Sequence, residues 1–292
     1  MYCIYSDKEI LESAATKEHI IPVSLGGSDE FVISVDRDSN HRMGSKIDGA
    51  LSNDLVMQFL RKAHDLRGHS NKEVQVTLKS ARLQPAGEKV RVRFHQDHVQ
   101  FYDVINQKSL DPTVTRTVES KIHVDTMCRA RFTAKVLLAT GYYIYGDLFR
   151  KYADHSSLRT YMNRAFDPAA GAQPTKLRLY DPCRPVTAAH VPIYETLKET
   201  CAWLKSSCVL FMLCQDSFIG TVGVMGELIA SINVPAQAEM FPNSGDYRLG
   251  QAIYFLDGHL VWKSFHDVAV GLGEALRDKS HVCGEGYTYH HK

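Results

Sequence analysis

The 292 residues include seven cysteines, at positions 3, 128, 183, 201, 208, 214 and 283, and no two of them stand in Cys-x-x-Cys spacing. An odd set without paired spacing argues against a disulfide framework and an intact zinc knuckle, and most of these thiols are expected to be small buried apolar groups. Long apolar runs are also missing. The longest, residues 136–145, contains Gly141, follows Lys135, and falls short of the ~20 residues a spanning helix needs, so no membrane association is expected. The chain opens Met-Tyr-Cys-Ile-Tyr-Ser-Asp-Lys, without the basic and then apolar pattern of a secretory leader, which makes a cytoplasmic address the expectation. A net charge of +1 excludes a protein that coats nucleic acid by charge alone, though not one with a local site. There is no internal repeat and no low-complexity tract.

What remains is ordinary globular composition, 44% hydrophobic and 23% charged, in a chain long enough for two lobes at ~150 residues per domain. Charge is uneven along it. Residues 1–80 carry 10 Lys and Arg against 12 Asp and Glu, whereas residues 81–150 carry 11 against 7, so a bound polyanion would meet the middle segment.

Short elements open the chain: residues 1–5, then 18–22 ending at a proline, a Gly26-Gly27-Ser28-Asp29 turn, and a strand over 31–35. A helix is expected from about Ser39, with Ser39 as N-cap and Met43, Ile47, Leu51, Leu55 and Phe59 at helical spacing. Residues 73–78 alternate with period two, and residues 90–94 and 99–102 read as a hairpin across Gln96-Asp97. A long helix is expected over 129–150, weakened at Gly141, and the Pro- and Gly-rich stretch 167–185 is the best linker candidate. The remainder reads as mainly β: 209–213, 218–224, 228–234, and a hairpin of 253–255 with 260–262 across Asp257-Gly258. The expected class is α+β, divided into segments 1–80, 81–170 and 171–292.

One region carries chemistry: Glu18-His19-Ile20-Ile21-Pro22, Ser24-Leu25-Gly26-Gly27, and then Asn40-His41-Arg42-Met43-Gly44 through Asp48. A carboxylate stands beside an imidazole, and an amide follows about twenty residues later at a helix start. Glu18 and Asn40 supply the hard oxygen ligands that a Mg²⁺-like ion prefers, and His19 can take a proton from water near neutral pH. Neighbours on a regular strand face opposite ways, so the segment must twist or end there if Glu18 and His19 share a pocket. A return of the helix across the hairpin makes a ββα unit.

Glu-His-Ile-Ile-Pro, Ser-Leu-Gly-Gly and Asn-x-x-x-Gly-x-x-x-Asp together resemble the HNH endonuclease family and its ββα-metal fold, over roughly residues 1–75. The resemblance implies hydrolysis of nucleic-acid phosphodiesters, DNA above RNA and duplex above single strand, leaving a 5′-phosphate and a 3′-hydroxyl. It puts His19 where the family has its general base, and Glu18 and Asn40 where it has ligands to Mg²⁺ or Mn²⁺. Asp48 and His41 are candidates for a supporting or alternative ligand, although a structural ion pair is as good a reading of Asp48. Arg42, Lys46, Arg91 and Arg93 are candidate nucleic-acid contacts, with Arg37 and Arg61 as further basic groups that could reach phosphate, and self-association is left open.

Two features depart from the family. Many relatives hold a structural zinc between two Cys-x-x-Cys knuckles, but here the equivalent positions read Cys3-Ile4-Tyr5-Ser6 and Asp36-Arg37-Asp38-Ser39. Three of four thiolates are gone, so no structural zinc is expected, and packing of Tyr2, Tyr5, Phe31 and Ile33 against Met43 and Ile47 must replace it. The family's middle asparagine has no counterpart between Pro22 and Asp36. A catalytically weakened HNH-fold protein that binds nucleic acid or serves assembly is the alternative. The C-terminal Tyr287-Thr288-Tyr289-His290-His291-Lys292 reads as a frayed end.

Overall fold

A computed structural model describes residues 1–68, 71–95, 97–111, 117–164, 176–184, 191–242 and 245–283. At its start, β1 (Tyr2–Cys3) and β2 (Lys8–Glu9) pair in a minimal hairpin. Strand β3 (Ala15–His19) then pairs antiparallel with β4 (Val32–Asp36), placing His19 opposite Val32 and Ala15 opposite Asp36. Helix α1 (Arg37–Met43) follows at once. Its N-cap is Asp36 rather than the expected Ser39: the Asp36 carboxylate accepts the Ser39 N–H at 2.8 Å, and an ionised oxygen suits the positive end of a helix.

The single helix expected beyond Ser39 is broken into pieces. After α1 come a π-type turn, Gly44–Asp48, and the short α2 (Gly49–Ser52). Asp54 then caps α3 (Leu55–Ala63) by accepting the Val56 and Met57 N–H groups. The expected apolar contacts do form, since Tyr2, Tyr5, Phe31, Ile33, Met43 and Ile47 are all buried in one core.

A five-stranded antiparallel sheet follows: β5 (Val76–Gln84), β6 (Glu88–Phe94), β7 (Val99–Asp103), β8 (Lys108–Leu110) and β9 (Thr117–Ser120), ordered β8-β7-β6-β5-β9. Its inner face forms a small core of its own from Ala81, Leu83, Val90 and Val92. Residue 80, the expected segment boundary, lies inside β5. Gln96, in the hairpin turn, is outside the described residues.

Helix α4 (Thr126–Tyr145) is apolar around most of its circumference and is the central post of the fold. Expected as one helix to residue 150, it stops at Gly146, whose φ of +54° and ψ of −125° suit glycine, and the chain turns into α5 (Asp147–Tyr152) and α6 (His155–Asn163). Gly141 is helical because α5 folds back onto it. A Cβ at that position would stand 2.2 Å from the Phe149 ring.

The last element group is β10 (Arg178–Tyr180), α7 (Val191–Leu204), β11 (Cys208–Leu213), β12 (Ser217–Val224), β13 (Glu227–Pro235), β14 (Gly250–Leu256), β15 (His259–Ser264) and α8 (Phe265–Cys283). The strands form one antiparallel sheet, β10-β13-β12-β11-β14-β15, with the expected strands and the Asp257-Gly258 hairpin in place. One face packs on α4 through Phe211, Val222, Ile232 and Phe255. The opposite face, with Cys208, Leu210 and Ala252, is covered by Leu197 and Cys201 of α7 and Phe265 and Val268 of α8. The expectation of a mainly β remainder is therefore corrected by two helices. Of the linker candidate, residues 178–180 are an edge strand, whereas 165–175 and Pro185 lie outside the described residues, as do 284–292 with the terminal histidines. Helices beside wholly antiparallel sheets make this an α+β fold. Among the described residues no helix is long and apolar enough to cross a membrane.

Candidate active site

Strand β3 ends at His19, and this ending lets two adjacent side chains serve one cavity. Glu18, His19, Asn40, Gly44, Asp48, Ser52 and Arg61 line a cleft of about 490 Å³. The helical repeat does the rest, since Asn40, Gly44 and Asp48 succeed each other at four-residue steps and the glycine leaves the cleft floor open. Five of the residues singled out in the sequence thus meet: Glu18, His19, Asn40, Asp48 and Arg61. His41, Arg42 and Lys46 do not join them, for all three are exposed on the outer side of the helix, and His41 is absent from the cleft wall. Arg91 and Arg93 lie on the five-stranded sheet.

Asn40 is oriented by its own hydrogen bonds. Its amide nitrogen donates to the Lys17 carbonyl at 2.8 Å and to Thr16 Oγ1 at 3.0 Å. A carbonyl can only accept, so the nitrogen must face β3 and the amide oxygen turns away from it.

His19 is held by a residue of the connecting loop. Its Nε2 lies 2.7 Å from Asp29 Oδ1. A carboxylate accepts, so Nε2 is the donor in this contact. Sequence reasoning missed Asp29, ten positions on from His19 in the loop between β3 and β4. The only local signal was its place in the turn after Gly26-Gly27.

Glu18 and Asp48 are nearly sealed from solvent and share one ammonium. Lys135 of α4 places Nζ 2.7 Å from Glu18 Oε1 and 3.1 Å from Asp48 Oδ2, and donates to the carbonyls of His19 and Ile20 at 2.8 and 3.2 Å. The lysine side chain is 0% exposed. Burial pushes the Asp48 carboxyl up to about 7, with Glu18 adding to the rise and Lys135 opposing it. Burial alone would depress Lys135, yet the two carboxylates raise it above the usual lysine value. Arg61 completes the wall: its Nη1 donates to the Ser52 carbonyl at 3.1 Å, while its buried Nε has no partner. Burial lowers the Arg61 pKa, the mark of a cation short of solvent.

At the position of the missing knuckle, Cys3 Sγ lies 3.0 Å from Asp36 Oδ2, and the Asp36 N–H points back to the same sulfur. Burial works against ionisation of Asp36, but hydrogen bonds from Cys3, Ser39 and Ser6 prevail and hold its carboxyl at about 2. A thiol–carboxylate contact joins the strand ends there.

Residues 3–56 match the family model of HNH endonuclease. The matched HNH segment runs from the end of β1 through α2 to the first residues of α3, and so holds every cleft residue named above except Arg61. No curated protein and no solved structure matches the chain. The divalent cation that HNH endonucleases generally use suits this donor set. Glu18 and Asn40 reach the cleft, and Asp48 keeps one buried oxygen, Oδ1, without a partner. Among the described residues no three His, Cys, Asp or Glu side chains form a metal-binding group. One carboxylate and one amide suit an ion that retains most of its waters.

Proposed function

We propose that the chain is a metal-dependent endonuclease that hydrolyses phosphodiester bonds of DNA, with His19 as general base and Glu18 and Asn40 as ligands to Mg²⁺ or Mn²⁺. The observation that carries this reading is the convergence of Glu18, His19 and Asn40 on one cleft inside the HNH-matched segment. The bound cation would supply charge for the developing phosphorane and the leaving 3′ oxygen. His19 Nδ1 removes the proton from an attacking water, while Asp29 keeps the ring in the required tautomer and stabilises the imidazolium that forms. Arg61, half-buried and with its Nε unsatisfied, binds a phosphate oxygen at the cleft wall. Asp48 acts through Lys135 by holding the ammonium that seats Glu18.

Plasmid cleavage with Mg²⁺ or Mn²⁺ tests the proposal: His19→Ala is expected to lose ~10²–10⁴-fold in rate. Equal cleavage by both proteins would remove His19 from the chemistry. A second reading, an HNH-fold protein that binds without cutting, is favoured by the Lys135 ammonium on Glu18. It predicts no metal-dependent cleavage and binding indifferent to Glu18→Ala.

A further inference from the structure

The five-stranded sheet has two unlike faces. Inward, Val90, Val92, Ala81 and Leu83 are buried, and Phe94 meets Phe59 of α3 edge-on. Outward, the central strand β6 presents Lys89, Arg91 and Arg93 at alternate positions. The register sets Arg82 of β5 opposite Lys89, and Tyr102 and Gln100 of β7 opposite Arg91 and Arg93. Between Leu78 and Ala81 the ladder slips, so Lys79 and Ser80 together face Arg91, a bulge that adds one more cation to this side.

Lys79, Arg82, Lys89 and Arg93 are exposed and Arg91 is half-buried. Among the described residues none of these five enters an ion pair. The acid nearest in register, Glu119 opposite Arg82, accepts a hydrogen bond from Gln84 instead. The positive surface continues past the sheet edge into a cleft of about 470 Å³ against the start of α3, where Lys79, Lys121 and His123 contribute.

We propose that this outer face is a docking surface for the sugar–phosphate backbone of double-stranded DNA. Lys89 to Arg93 spans ~13 Å, since alternate strand residues repeat every ~7 Å. Over that length a duplex carries roughly eight phosphates, one per ~1.7 Å of axis, enough to engage every cation on the face. Single strands fit it less well. Tyr102 is the outer face's one aromatic among the described residues, whereas proteins that hold single strands stack successive bases on several. The choice of DNA over RNA rests on the nucleolytic reading above; the charge pattern does not.

The test uses the whole 292-residue chain carrying His19→Ala, without divalent cation, titrated against a labelled DNA duplex of about 20 base pairs by fluorescence anisotropy between about 50 and 300 mM NaCl. At ~0.9 per phosphate contact, log K is expected to fall with log salt at a slope of about −4 to −5. Arg91→Gln/Arg93→Gln should reduce that slope by ~2 and weaken binding roughly thirtyfold at 0.15 M salt. Lys79→Gln/Lys89→Gln, at exposed positions, should do the same and guards against a folding defect in the first pair. An unchanged slope in both pairs, or tighter binding of duplex RNA or single-stranded DNA, overturns the proposal. Chemistry is silent in this protein, so failed binding indicts the sheet face, whereas failed cleavage by wild type with Mg²⁺ indicts the cleft.

Discussion

Lys135 is surrounded by four oxygens drawn from β3, the residue that follows it and the π-type turn, and its removal would leave two buried carboxyls without a counter-charge. Breaking such a cluster typically costs ~3–5 kcal/mol. The native Asp48 carboxyl titrates near 7 against ~3.9 in an unfolded chain, so the folded state keeps a proton that the unfolded state releases. Stability from this group therefore falls as pH rises from ~4 to ~7 and is level below that window. Without the ammonium the Asp48 carboxyl holds its proton to still higher pH. Lys135→Met should thus be destabilised by ~3–5 kcal/mol at pH 8 and by less at pH 5, measured by urea unfolding. An equal loss at both values would mean that Lys135 serves packing alone. For Asp29→Asn, the loss of the carboxylate partner should lower kcat for plasmid cleavage ~10–100-fold while leaving duplex binding intact. A change confined to KM would make Asp29 a substrate contact instead.

Elements were legible in proportion to how local their causes are. The Asp257-Gly258 hairpin and the pairing of residues 90–94 with 99–102 are written in neighbouring residues, and both stand as read. Helix α7, Val-Pro-Ile-Tyr-Glu-Thr-Leu, is rich in strand-forming types, and its helical state follows from the need to cover the outer face of β11 to β13 through Leu197 and Cys201. Propensity yielded there to tertiary packing. The break after α1 was equally hidden, because Asp54 starts a new helix within a pattern that otherwise runs on. Gly141 offers a sharp test of element packing. A Gly→Ala change inside a helix ordinarily stabilises by ~1 kcal/mol, but here the added methyl would enter the Phe149 ring. Gly141→Ala should instead destabilise by ~1–3 kcal/mol in thermal unfolding. A rise in Tm would show that α5 yields its place easily.

At the scale of the molecule, the HNH-matched segment is not a bead on a string. Its apolar residues share one core with α4 and the six-stranded sheet, from Tyr2 to Phe255. Polar ties run the same way: Arg159 of α6 donates to the Ile4 carbonyl at 3.0 Å and reaches Asp7 at 2.9 Å. His19, Glu18 and Asn40 could be found by eye because their motif is compact, whereas Lys135, over ninety residues beyond Asn40, has no pattern linking it to them. A fragment of residues 1–75 is expected to show no cooperative transition in a circular dichroism melt, and a sharp one would contradict this account. The caged lysine also bears on transplantation. Sequence motifs invite use as portable cassettes, but this one leaves half of its electrostatic balance behind when excised. A designer grafting Glu18 to Asp48 onto a new scaffold would have to supply a buried ammonium from the host.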